Sequence, residues 1–179
     1  MSLIDQTYFE KRLLAIPNLD KEHVSENLDD FIEEYEDAYL DTMPGTKLKN
    51  QFLAGLEVLP TPDQIWTDLL NGKEYDISDV TYRWQGFNND KKLSPIADYV
   101  FCKFTTDNQF LNTGVSDSKP AIENGTVIAP HYRTGRVWNE MVKLNKELIR
   151  FLREFESDYP DWHFDYDTPL INTANVIGL

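Results

Sequence analysis

The feature that most constrains this chain is a pair of apolar stripes at helical spacing, one near each end. Val24, Leu28, Phe31, Ile32, Tyr35 and Tyr39 advance in steps of one, three and four residues. That spacing places them on one face of a 3.6-residue helix over 19–41. Val137, Trp138, Met141, Leu144, Leu148, Phe151, Leu152 and Phe155 repeat the pattern after Pro130, over 131–156. Two long helices with one apolar face each must bury those faces against other elements, so the expected fold is mainly α.

Proline and glycine mark the remaining boundaries. Met43-Pro44-Gly45 stops the first helix, and Leu48, Phe52 and Leu56 predict a short second helix before Pro60. Thr61-Pro62-Asp63 reads as a helix start, with Thr61 as cap, proline at the first helical position and an acid beside the positive end of the dipole. Ile65, Trp66, Leu69 and Leu70 then face inward, and Asn71-Gly72 ends the turn. Tyr75, Ile77, Val80, Tyr82 and Trp84 recur near period two, as in a β-hairpin or an ordered loop. Ser94-Pro95 repeats the start signal before a segment, Ile96 to Phe110, that is apolar nearly all round and therefore expected at the centre. Residues 112–130 are rich in Gly, Ser, Asn, Thr and Pro and read as a long ordered loop, with a turn at Asn124-Gly125. The expectation is a helical bundle of about five helices with a small β-hairpin or extended loop insertions. It divides into an N-terminal arm at 1–17, the bundle at 18–156 and an extended tail at 157–179. The arm holds a short strand or a helical turn ended by Pro17.

A chain of 179 residues fits one domain, and 41% hydrophobic residues supply a core. No apolar run approaches the roughly 20 residues of a membrane-spanning helix, so no membrane role is expected. Met1-Ser2-Leu3-Ile4-Asp5 carries neither a basic start nor an apolar stretch, so no secretory signal is expected there. Cys102 is the one cysteine. It sits in an apolar run, reads as a buried small side chain and fits synthesis in a reducing cytoplasm. The net charge of −14 is opposite to what gripping phosphates demands, which argues against tight nucleic-acid binding.

Catalytic patterns are missing from the sequence. His23, His131 and His163 stand too far apart for a zinc motif, so no metal is expected. Gly114 and Gly125 belong to no nucleotide-binding fingerprint, and no nucleophile elbow occurs, so no cofactor is expected. Glu33-Glu34-Tyr35-Glu36-Asp37 reads as a solvated helix face, because paired catalytic carboxylates need a pocket that separates their pKa values. Asp161-Trp162-His163-Phe164-Asp165 sets a histidine between acids but names no nucleophile. The chain is accordingly expected not to be an enzyme.

Charge is laid out unevenly. The first helix is acidic, the last carries Arg133, Arg136, Lys143, Lys146, Arg150 and Arg153, and the tail is acidic again. Either the two helices pack as neighbours and pair their rims, or the acidic face of one copy meets the basic face of the next. A repeating head-to-tail contact closes into a ring if the rotation allows. On the second reading the interface residues are Glu33, Glu34, Asp37, Arg136, Lys143 and Arg150. Trp162, an aromatic in an acidic tail, is the candidate anchor; a tail folded back on its own domain is the competing reading.

Four segments, in order, carry a resemblance. They are Leu3-Ile4-Asp5-Gln6-Thr7-Tyr8-Phe9 with Ile16-Pro17-Asn18-Leu19; Asn27 to Glu36; Ser94 to Phe101; and Arg136-Val137-Trp138-Asn139-Glu140-Met141-Val142. Together they resemble a family of small proteins encoded among the structural genes of tailed bacteriophages of Bacteroidetes-type hosts. The helical layout is similar to that of head–tail connector, or adaptor, proteins. The resemblance runs from the arm to the end of the last long helix. It implies a virion protein of the neck, a ring of copies, commonly twelve, and portal and tail or neck proteins as partners. DNA would pass nearby without specific binding. A stopper or tail-completion protein is the nearest alternative, and a small cytoplasmic enzyme or regulator is the alternative from another class.

Overall fold

The computed structural model describes residues 2–10, 12–58, 60–112 and 130–174. Among them the elements run α1 (Glu22–Leu40), α2 (Thr46–Leu56), α3 (Gln64–Asn71), β1 (Lys73–Ile77), β2 (Val80–Trp84), α4 (Pro95–Asn112) and α5 (Pro130–Glu154). The fold is mainly α with a small antiparallel hairpin, as the periodicity implies. The turn expected at Asn124-Gly125 and nearly all of the loop at 112–130 lie outside the described residues, as does the end of the tail from 175.

The layering follows from the stripes. α4 packs against both α1 and α5 and so stands between them. Its Ile96, Ala97, Val100, Phe101, Cys102 and Phe104 are all buried, as a helix apolar nearly all round requires. α1 contributes Leu28, Ile32, Tyr39 and Leu40, and α5 contributes Val137, Met141, Leu148, Phe151 and Leu152. Each such side chain adds about 1.5–3 kcal/mol when fully buried.

Punctuation is mostly where proline and glycine place it. α1 gives way to a wide π-type turn at Asp41–Gly45 that contains Pro44, and Gly45 turns the chain at φ +87° before α2. α3 starts later than expected: Asp63, not Thr61, precedes it, and the Asp63 carbonyl accepts the Trp66 and Thr67 amides at 3.1 and 3.3 Å. Asp63 stands at the N-cap position, but its side chain caps no amide. α4 begins with Pro95 at its first position, but the buried Ser94 hydroxyl has no partner, so proline rather than a hydroxyl cap sets this start.

The period-two segment is a hairpin, pairing Lys73 with Trp84 through Ile77 with Val80. Its two-residue turn, Ser78-Asp79, has φ of +49° and +65°, the mirror-image geometry that matches strand twist. Trp84 is fully buried beneath the hairpin and donates its indole N–H to the Leu69 carbonyl at 2.9 Å. Phe87 and Phe151 lie against it at ring-centroid distances of 5.3 and 6.4 Å.

Both ends of the described chain pack onto this bundle. Residues 2–10 and 12–16 take the helical-turn alternative, with 3-10 turns at Gln6–Phe9 and Arg12–Leu14. They bury Leu3, Ile4, Tyr8, Phe9 and Leu14 in the core. Glu36, itself buried, accepts the Leu3 amide at 2.9 Å, the Ile4 amide at 3.3 Å and the Ser2 hydroxyl at 2.9 Å. The tail folds back as well. Tyr159 donates to the Ile65 carbonyl at 2.6 Å, Asn145 Nδ2 donates to the Leu170 carbonyl at 2.8 Å, and Trp138 Nε1 donates to the Asn172 carbonyl at 2.8 Å. Through residue 174 the tail is therefore a packed strap rather than a free extension.

Candidate functional site

Two clefts and one charged helix face stand out. The first cleft, about 620 Å³, runs between the N-terminal residues and α1. Asp5, Asp29, Glu33, Glu36 and Asp37 line it, with no lysine or arginine among its lining residues. Of these, Glu36 is committed to the backbone of Leu3 and Ile4. Burial nonetheless pushes its pKa up, against the lowering effect of those amides. Asp37 pairs with the buried Lys49 at 2.5 Å, and Asp41 pairs with the same ammonium at 3.0 Å. Glu33 and Glu34 are exposed and form no ion pair among the described residues.

The basic face lies on α5. Arg136, Lys143, Lys146, Arg150 and Arg153 are exposed, and none forms an ion pair among the described residues. Tyrosines flank three of the guanidinium groups: Tyr132 at 5.9 Å from Arg136, Tyr82 at 4.5 Å from Arg150 and Tyr166 at 5.6 Å from Arg153. Arg153 also donates to the Tyr166 hydroxyl at 2.6 Å. Arg133 departs from the expected face. It donates to the Leu13 and Ala15 carbonyls at 2.6 and 2.5 Å and lies over the Phe101 ring, so it clamps the N-terminal segment to α4 and α5. No acid of α1 forms an ion pair with a base of α5 among the described residues. The first of the two charge explanations is therefore set aside.

Trp162 is half-buried and packs against the core, with Phe164 at 6.0 Å. Its indole N–H is buried without a hydrogen-bond partner. This placement is that of a tail residue folded onto its own domain. Its neighbours do not make a triad: His163 is exposed with Nδ1 beside the Trp162 carbonyl at 2.7 Å, and Asp161 accepts from Gln51 at 2.6 Å.

The second cleft escaped sequence reasoning. It encloses about 660 Å³ between the N-terminal turns, the 85–93 loop, the start of α4 and one face of α5. Leu13, Leu14, Leu93, Val137 and Leu144 give it apolar walls. Asp98 reaches it from α4, and Glu140 and Glu147 from α5. Asp98 is only 8% exposed, and no cation lies within ion-pair distance of it among the described residues. Burial, then the charge of Glu140, holds its pKa well above the carboxylate range. Glu147 is likewise raised by burial, against the pull of Lys143 and Arg150, and its Oε2 has no hydrogen-bond partner. One signal was present: Asp98 is an acid inside a helix that is otherwise apolar nearly all round. Glu140 and Glu147 are seven residues apart, hence on one helical face, but they are masked by the surrounding bases.

Among the described residues, no grouping of three or more His, Cys, Asp or Glu side chains could hold a metal ion. No described helix is long and apolar enough to cross a membrane. Comparison of the chain with protein-family models, curated proteins and solved structures finds no match.

Proposed function

We propose that this chain is a structural subunit that assembles head to tail with copies of itself and acts by binding rather than by catalysis. One observation carries the reading: a cleft on α1 whose only charged lining residues are acids, and a basic face on α5 that forms no ion pair with them among the described residues. Complementary faces that do not meet in one molecule can meet between molecules, and a heterologous contact of this kind repeats, closing into a ring if the rotation allows. Charge of this sort sets register and rejects wrong partners more than it adds affinity.

Within that class we favour the neck of a tailed bacteriophage, a connector ring between portal and tail in the virion. The sequence resemblance and the mainly helical fold support it. The net charge of −14 supports it too, because an acidic lumen repels phosphates and lets DNA slide without sticking. Mass spectrometry of purified particles tests the location: the chain present at many copies supports the reading, and its absence overturns it. Charge reversal tests the contact. Arg136→Glu or Arg150→Glu is expected to abolish rings in negative stain and light scattering while circular dichroism is unchanged. Adding Glu33→Lys to Arg136→Glu restores them in part. Rings that form equally well in every variant would refute the head-to-tail pairing.

A further inference from the structure

We infer that the cleft between the N-terminal turns and α5 is a binding site for an organic cation, an alkylammonium or alkylguanidinium group, seated on Asp98. The inference is independent of the assembly reading and rests on other residues. Three observations converge. The cleft has room for a small ligand, at about 660 Å³. Leu13, Leu14, Leu93, Val137 and Leu144 line part of it and match a carbon stem. Among its lining residues is Asp98, more than nine-tenths buried and lacking any ion-pair partner among the described residues.

A buried carboxyl without a partner is costly, and proteins keep such groups where something binds. The surroundings choose the sign of the ligand. From α5, Glu140 and Glu147 face the same space, and Glu147 leaves a buried oxygen without a donor. Glu10 and Asp90 add negative charge from the N-terminal turns and the 85–93 loop. Three lysines oppose them. Lys92 lies over the Tyr8 ring, which also lines the cleft, at 4.4 Å, and near Asp5 at 3.8 Å. Lys91 and Lys143 are exposed and form no ion pair among the described residues. The donor set does not suit a metal ion, and an anion would face uncompensated carboxylates. An organic cation satisfies both the acids and the apolar walls.

Binding has a proton signature. Burial, and then the charge of Glu140, raises the Asp98 pKa in the empty cleft, and a cation beside it favours the ionised form, so ligand entry lowers that pKa and releases a proton where the pH lies between the two values. Calorimetry with n-butylguanidinium and n-butylammonium chloride, run in two buffers of different ionisation heat, reads this directly. Saturable heat with proton release is expected for both salts, and no heat for n-butanol. Asp98→Asn should weaken binding about tenfold or more, by loss of a charge-assisted hydrogen bond, and should abolish the proton release. Carboxyl carbon NMR of the wild-type chain needs no variant: the Asp98 resonance should move from the protonated to the ionised position on titration. A second arm uses an end-blocked peptide with one arginine. Binding by the free salts marks a small-molecule site, and binding by the peptide alone marks a basic side chain of another chain as occupant. No binding by any probe, or binding in which the Asp98 carbon does not move, overturns the proposal.

Discussion

A buried relay joins α1, α5 and the tail, and removing either of its side chains has different consequences depending on what else is present. Tyr39 on α1 and Asn145 on α5 are both fully buried. The Tyr39 hydroxyl donates to Asn145 Oδ1 at 2.5 Å, and Asn145 Nδ2 donates to the Leu170 carbonyl at 2.8 Å. Tyr39→Phe keeps the ring and leaves one buried acceptor without a donor, a cost of about 1–3 kcal/mol. Asn145→Ala leaves two groups unpaired, the Tyr39 hydroxyl and the Leu170 carbonyl, so about 2–6 kcal/mol is expected from the same scale. On the Asn145→Ala background, Tyr39→Phe removes a group that is already unpaired. It should then be neutral or stabilising, giving a coupling of about 1–3 kcal/mol between the two sites. Urea unfolding followed by far-ultraviolet circular dichroism and tryptophan fluorescence measures all four chains, with the slope against denaturant unchanged. Burial, and then the charge of Asp98, holds the Tyr39 pKa well above its ordinary value of 10.0, so the hydroxyl stays a donor and the effect should persist into mildly alkaline buffer. Equal costs for Tyr39→Phe on both backgrounds would refute the relay.

Other residues give independent checks. Asp98 has a folded pKa raised above its ordinary 3.8, so between those values the folded state keeps a proton that the unfolded state has released, and stability falls as pH rises. Asp98→Asn should therefore raise the urea midpoint at pH 7 and flatten its fall from pH 4, leaving the smaller slope of Glu36 and Glu147, which are raised in the same direction; an unchanged slope would contradict this. The Cys102 thiol is buried, with its pKa pushed up to about 12 by burial, and so should react with a disulfide reagent at pH 8 only as fast as the chain unfolds. Rapid labelling of the folded chain would count against its placement. A Cβ on Gly55 would overlap the Trp66 indole, so Gly55→Ala should cost about 1–3 kcal/mol and shift the tryptophan emission, whereas an unchanged spectrum would show that α2 and α3 are not that close.

Helices, hairpin and bundle could be read from the chain because their signals are local. Apolar spacing reports the period of an element, and Gly45, Gly72 and Pro95 mark turns or starts through backbone sterics alone. What could not be read depends on distant partners. Arg133 looked like one more base on a basic helix, yet its donors are used by carbonyls more than a hundred residues earlier. Trp162 looked like an exposed aromatic in an acidic tail, and Leu170 and Tyr159 show that the tail returns to the core. Asp98 carried a usable signal, an acid in the apolar first half of α4. Its meaning emerged only when the N-terminal turns and α5 closed a cleft around it.

The two readings of this molecule meet at one side chain. Lys143 is exposed on the basic α5 face and also lines the cleft that holds Asp98, one helical turn from both Glu140 and Glu147. Reversing its charge would therefore weaken head-to-tail pairing and also add another acid to the cleft that holds Asp98. That acid would strengthen cation binding while raising the cost of ionising Asp98 further. Arg136 and Arg150 carry no such double burden, because neither lines that cleft. The contrast makes Lys143→Glu a discriminating variant rather than an ambiguous one. If both readings hold, it loses assembly as Arg136→Glu does yet binds n-butylguanidinium more tightly than the parent chain. If the charged face alone matters, assembly falls and the salt still fails to bind. If the cleft alone matters, binding tightens and the assembly state is the same as that of the parent.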